Sequence, residues 1–186
     1  MFSSLPKLQA LDSRSVFARN WKVLEDFEYR IDSISLRWDF LYEIDKLNAW
    51  HDFTNFEIEP ANATTFHSIR ILEGTITDLA SIPRFFWWFM SPTDFIRPST
   101  VHDELYEFLR LLRSHGKDVR KLRKIVDLIL YESLKYVRPE KLRKGSWWQK
   151  CRNRIIRSYL WTKHLIAYFA VRLFGWTTIR SARIVR

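Results

Sequence analysis

His102, Asp103 and Tyr106 fall within five consecutive residues, and Asp127 follows one helix-patterned segment later. His102 and Tyr106 are four apart, so on a helix they share a face. Asp127 is the only charge in Ile125-Val126-Asp127-Leu128-Ile129-Leu130-Tyr131 and projects with Leu130, Tyr131 and Leu134, which points it inward. A carboxylate taken out of water needs partners, because its desolvation costs several kcal/mol. A His–Asp pair with a tyrosine hydroxyl is the equipment of a general base and its orienting group. Asp103 is then left to hold a hard metal ion. The same residues also suit a purely structural role. Asp103 and Glu104 sit where a helix dipole favours acids, and His102 can neutralise Asp127 inside a core.

Two antiparallel helices must position this group. After Pro92 and Pro98 a helix is expected from Ser99 or Thr100, with the apolar stripe Val101, Leu105, Phe108 and Leu112. Ser114-His115-Gly116 ends it. The next helix, 118–137, carries Val119, Leu122, Val126, Ile129 or Leu130, Leu134 and Val137, and the short turn brings Asp127 towards His102 and Tyr106. Upstream, Ser81 and Pro83 start a short helix that carries the unbroken apolar run 85–90. Downstream, Pro139 opens another segment, and Gly145 a long amphipathic helix up to Gly175. In that last helix Trp147, Trp148, Ile155, Tyr159, Leu165 and Phe169 are expected to face the core, alternating with Lys150, Arg152, Arg154, Arg157 and Lys163.

The first third reads as strands: 21–24, 27–31, 53–59 and 66–72, with a turn over 60–63. Ile34, Leu36, Trp38 and Phe40 alternate as on a half-buried strand, while Leu41, Ile44 and Leu47 also fit a helix. The expected fold is α+β, a small N-terminal antiparallel sheet followed by a bundle of about four to five helices. Residues 1–20 form an N-terminal segment, 21–176 a single domain (strand-rich 21–78, helical 79–176) and 177–186 a basic tail.

Composition narrows the rest. Of 186 residues 47% are apolar and 16% aromatic, which excludes global disorder. Four scattered glycines cannot build a glycine-rich phosphate loop. The single Cys151 excludes an internal disulfide framework or a cysteine-rich zinc site. The net charge of +10 hides a split: residues 1–109 hold 10 Lys/Arg and 17 Asp/Glu, whereas 110–186 hold 21 and 4. The basic part, 110–186, is therefore expected to meet an anionic surface, membrane lipid or an acidic protein. Nucleic acid is the alternative, since aromatic and basic residues interleave. No basic stretch leads into a long apolar run at the start, and the run 165–171 stops at Arg172, short of a membrane span.

Two motifs carry a family resemblance. Gly74-Thr75-Ile76-Thr77-Asp78-Leu79-Ala80-Ser81-Ile82-Pro83-Arg84 resembles the "GFxTDxASIPR" signature of the phage and bacterial family called domain of unknown function 1353, and Val101-His102-Asp103-Glu104-Leu105-Tyr106 resembles its "HDxLY". Leu24–Arg30 is similar to the opening strand of that family and Val171–Trp176 to its close. The resemblance spans roughly 21–31 and 70–176, with 32–69 as an insertion and Thr75-Ile76 as a departure. It implies phage or prophage origin and a place in the host cytoplasm or the virion, but no reaction. More distantly, the His-Asp-x-x-Tyr helix opposite an Asp-bearing one is similar to the catalytic helix pair of phospholipase A2. That likeness implies His102 as base, Asp127 and Tyr106 as its orienters and Asp103 as a calcium ligand; Asp78, from the other motif, is expected to stand in for the ligand that a phospholipase loop supplies. The glycine-rich calcium loop and the disulfides of phospholipases are absent. An HD-type phosphohydrolase would have to recruit His67, which falls in a strand.

Three classes of function follow: a metal-assisted hydrolase at a membrane surface, a non-catalytic virion, tail or assembly protein, and a nucleic-acid-binding protein.

Overall fold

A computed structural model describes residues 8–10, 21–50, 56–62, 65–77, 95–136 and 147–180. In chain order the elements are β1 (Leu8–Ala10), β2 (Trp21–Val23), β3 (Phe27–Tyr29), α1 (Ile34–Lys46), β4 (Phe56–Asn62), β5 (Thr65–Ile71), β6 (Ile76–Thr77), α2 (Ile96–Ser114), α3 (Arg120–Leu134) and α4 (Trp147–Arg180). The fold is α+β. Among the described residues, β1-β2-β6 and β3-β5-β4 form two small antiparallel sheets. Register shifts flank Pro60 on the edge strand β4, where a residue without an N–H is tolerated.

The segment expected as a strand over 34–40 is instead the start of α1. Its buried residues, Leu36, Phe40, Glu43 and Ile44, follow a helical stripe, while Ile34 and Trp38 lie exposed. The alternation of apolar residues there imitated a strand, but capping decides the matter. Ser33 Oγ accepts from Leu36 N at 3.3 Å. Glu132 of α3 takes the preceding amides, Asp32 N at 2.7 Å and Ser33 N at 3.1 Å, as well as the Tyr29 hydroxyl at 3.0 Å. A buried carboxylate thus fixes where α1 begins.

Helix α3 is central, packed against α1, α2 and α4, while α2 also meets β5 and β6. The expected stripes are buried: Val101, Leu105, Phe108 and Leu112 on α2, and Val119, Leu122, Val126, Ile129, Leu130 and Leu134 on α3. They join Phe27, Tyr29, Ile69 and Ile71 from the β3-β5-β4 sheet in one core.

On α4 the expectation fails for three of its six residues; Leu165 is half-buried, and the side chains of Trp147 and Trp148 lie outside those described. Ile155, Tyr159 and Phe169 are exposed, and the buried positions are Lys163, His164, Ala167, Ala170, Val171, Gly175 and Ile179. Ala167, Ala170 and Gly175 let the helix approach closely on that side, while Ile155, Tyr159 and Phe169 turn outward. The helix also runs through Gly175 instead of ending there. The short helix expected from Ser81, the run 85–90, Val137 and the segment opened by Pro139 lie outside the described residues.

Candidate functional site

Helices α2 and α3 fold into a hairpin. Gly116, at φ 78°, closes α2 with two bonds, Gly116 N to Arg113 O at 2.9 Å and Lys117 N to Leu112 O at 3.0 Å, the Schellman arrangement that a left-handed residue permits. The reversal carries Asp127 back to the first turns of α2. Tyr106 Oη donates to Asp127 Oδ1 at 2.6 Å. His102 Nε2 stands 3.5 Å from the same oxygen, longer than an ordinary hydrogen bond. The His102 and Tyr106 rings lie 4.2 Å apart, tilted by 38°.

The other carboxylate oxygen belongs to arginines that sequence reasoning missed. Arg172 Nη1 donates to Asp127 Oδ2 at 2.9 Å, and Arg123 Nε lies 3.7 Å from it. Arg123 also donates to Tyr106 Oη at 3.3 Å and to the carbonyls of Val171 and Arg172 at 3.3 and 2.6 Å. One acid therefore ties α2, α3 and α4 together. Arg123 had a local signal, being four residues before Asp127 on one helix. Arg172 had no local signal, because α4 is distant in the chain, and stood out only as part of Val171–Trp176, the stretch similar to the close of the family. Gly175 belongs to the same cluster: a Cβ there would run into the Tyr106 hydroxyl and ring.

Asp127 is fully buried, with His102 2% and Tyr106 4% exposed. Burial opposes the Asp127 charge, but the neighbouring His102 and the bonds from Tyr106 and Arg172 outweigh it and hold the carboxyl below its ordinary range. Burial also lowers the His102 imidazole against the pull of Asp127, and Arg123 adds to the depression. His102 is thereby neutral near pH 7. The Tyr106 hydroxyl is pushed up, first by burial and then by the Asp127 charge, and stays protonated. The arrangement is a neutral imidazole and a phenol facing an anionic carboxylate, which two guanidiniums hold in place.

Asp103 points elsewhere. It is half-buried, and its Oδ2 accepts from Thr77 Oγ1 of β6 at 2.5 Å. The two motif stretches thus meet through Thr77 and Asp103. Asp78 lies outside the described residues. Among those described, no group of three or more His, Cys, Asp or Glu side chains could hold a metal ion.

Comparison with known proteins finds no match among curated proteins and none among solved structures. A family model described as "Protein of unknown function (DUF1353)" matches residues 53–150. The match begins inside the 32–69 stretch expected as an insertion, and it leaves 21–31 and 151–176 outside. It takes in Thr77, the His102–Tyr106 run and Asp127. Because it covers more than half of the 186 residues, the chain belongs to the DUF1353 family.

Proposed function

We propose that the protein is a hydrolase of ester-linked substrates in which His102 is the general base, with Asp127 and Tyr106 as positioning residues. The observation that carries the reading is the buried Asp127 carboxylate, whose Oδ1 faces both His102 Nε2 and the Tyr106 hydroxyl. In the neutral ring with Nε2–H turned to Asp127, the lone pair lies on Nδ1. That nitrogen takes a proton from water as the water oxygen attacks the substrate carbonyl. Asp127 then stabilises the imidazolium, and the proton passes from it to the leaving alkoxide. Arg123 and Arg172 keep Asp127 anionic throughout, and Tyr106 limits rotation of its carboxylate. Asp103 with Asp78 is the proposed calcium-binding pair.

The test is turnover of a chromogenic ester and of phospholipid vesicles, each with calcium or with a chelator. His102→Gln is expected to lower the rate about 10²–10⁴-fold, the usual contribution of a general base. The wild-type rate should rise with pH through a midpoint below the ordinary imidazole value of 6.5, since burial lowers His102. Calcium should raise the melting temperature by mass action. Absence of wild-type turnover, or a His102→Gln rate equal to wild type, overturns the reading.

A second reading is favoured by the 2% exposure of His102: the network is a pin in a non-catalytic phage protein of virion, tail or assembly. It requires that His102→Gln lower the melting temperature in a protein with no turnover to lose.

A further inference from the structure

Helix α4 has two apolar faces, and the core uses one of them. On the other, Ile155 (71% exposed), Tyr159 (47%), Phe169 (55%) and Leu173 (71%) meet solvent. Exposed Thr162 and half-buried Ile166 fill the gaps. The positions advance by alternating steps of four and three, so the stripe runs straight along one side of the helix. It extends about 27 Å from Ile155 to Leu173 at ~1.5 Å per residue. Single apolar residues on a surface mean little, but a continuous stripe marks a contact.

Charge identifies the partner. Between Trp147 and Arg180 the helix holds seven Lys/Arg and no Asp/Glu. Exposed Arg152 and Arg154 lie on either side of the stripe near Ile155, and no residue of 151–162 is fully buried. Two such helices from separate copies would oppose each other with like charge. Arginine stems can lie along apolar material while their guanidiniums reach phosphates. Tyr159 and Trp161 (58% exposed) supply rings that are apolar in body and polar at one edge, as suits a lipid–water boundary.

We propose that this face of α4 docks on an anionic lipid bilayer. The helix lies in the plane of one leaflet, with Ile155, Phe169 and Leu173 at the acyl boundary and Arg152 and Arg154 on headgroup phosphates. No helix among the described residues is long and apolar enough to cross a membrane. The docking does not depend on catalysis by His102.

Co-sedimentation of the full chain with vesicles tests it, comparing pure phosphatidylcholine with mixtures holding about 30% phosphatidylglycerol. Binding to the anionic vesicles is expected to exceed binding to the neutral ones at least about tenfold and to weaken as salt is added. The triple variant Ile155→Ser, Phe169→Ser, Leu173→Ser should bind anionic vesicles at least about tenfold less with little change in melting temperature, since all three side chains are more than half exposed. Arg152→Gln with Arg154→Gln, which removes no apolar contact, should reduce the binding and its salt dependence. Failure to sediment with anionic vesicles at low salt overturns the proposal, as does undiminished binding by both variants. So does a concentration-dependent dimer that the triple variant dissolves, or retention on DNA or polyglutamate without vesicle binding.

Discussion

Asp127 shows how much one residue can organise. Alone in the interior it would be costly, yet Tyr106, His102, Arg123 and Arg172 converge on its two oxygens. Its energetic value lies in the set, because removing one partner strands the others. Gly175 gives the sharpest test of that packing. Gly175→Ala would gain about 1 kcal/mol from helix propensity. The added methyl would also drive the Tyr106 ring off Asp127, and overpacking of this kind costs about 1–3 kcal/mol. Urea denaturation is expected to show net destabilisation. Tyr106→Phe, which deletes the nearest atom of the clash, should make the Gly175→Ala cost smaller than in the wild type. Additive costs would show that the close approach is not what fixes the glycine.

Among the elements, α1 depends on a residue outside itself. Ser33 caps it, and Glu132 of α3 accepts the Asp32 and Ser33 amides just before it together with the Tyr29 hydroxyl from β3. One carboxylate thus joins a strand, a helix start and the central helix. Glu132→Ala is expected to cost about 2–3 kcal/mol, the penalty for leaving buried donors without an acceptor. Hydrogen exchange should speed up in the first turn of α1, well before α2 is affected. Uniform acceleration across α1 and α2 would show that Glu132 supports only the global fold. Helix α4 differs: no residue from Cys151 to Thr162 is fully buried, and Ile155, Tyr159, Phe169 and Leu173 face solvent.

For the whole molecule, titration follows burial. His102 and His164 both have imidazoles depressed by burial. His164, 8% exposed, packs edge-on to Phe95 at 6.0 Å with Lys163 beside it, and Lys163 lowers it further. A base with a depressed folded value binds fewer protons folded than unfolded. Its stabilising contribution is therefore complete above the ordinary 6.5 and is lost as pH falls below it, until the folded value is reached. Asp127, lowered in the fold, adds a second loss as pH falls below its ordinary 3.8. Urea midpoints should fall between about pH 7 and pH 5, and His164→Phe should remove part of that slope. A flat profile over this interval would contradict the assignment of both histidines as buried neutral groups.

Much of this was legible in the letters. The hairpin of α2 and α3, with its stripes, the stop at Gly116 and the inward aim of Asp127, follows from local periodicity and capping, which act over a few residues. The α+β division follows from the change of apolar period along the chain, and the charge split from composition. Three things required the tertiary structure. Ile34, Leu36, Trp38 and Phe40 alternate well enough to suit a strand, and an acceptor from a helix about 100 residues away joins the local Ser33 cap in selecting α1. The α4 stripe looked like a core face, because periodicity reveals that a face is apolar but not which of two apolar faces finds neighbours. Arg172 and Gly175 joined Asp127 and Tyr106 through packing across the chain, which no local spacing encodes.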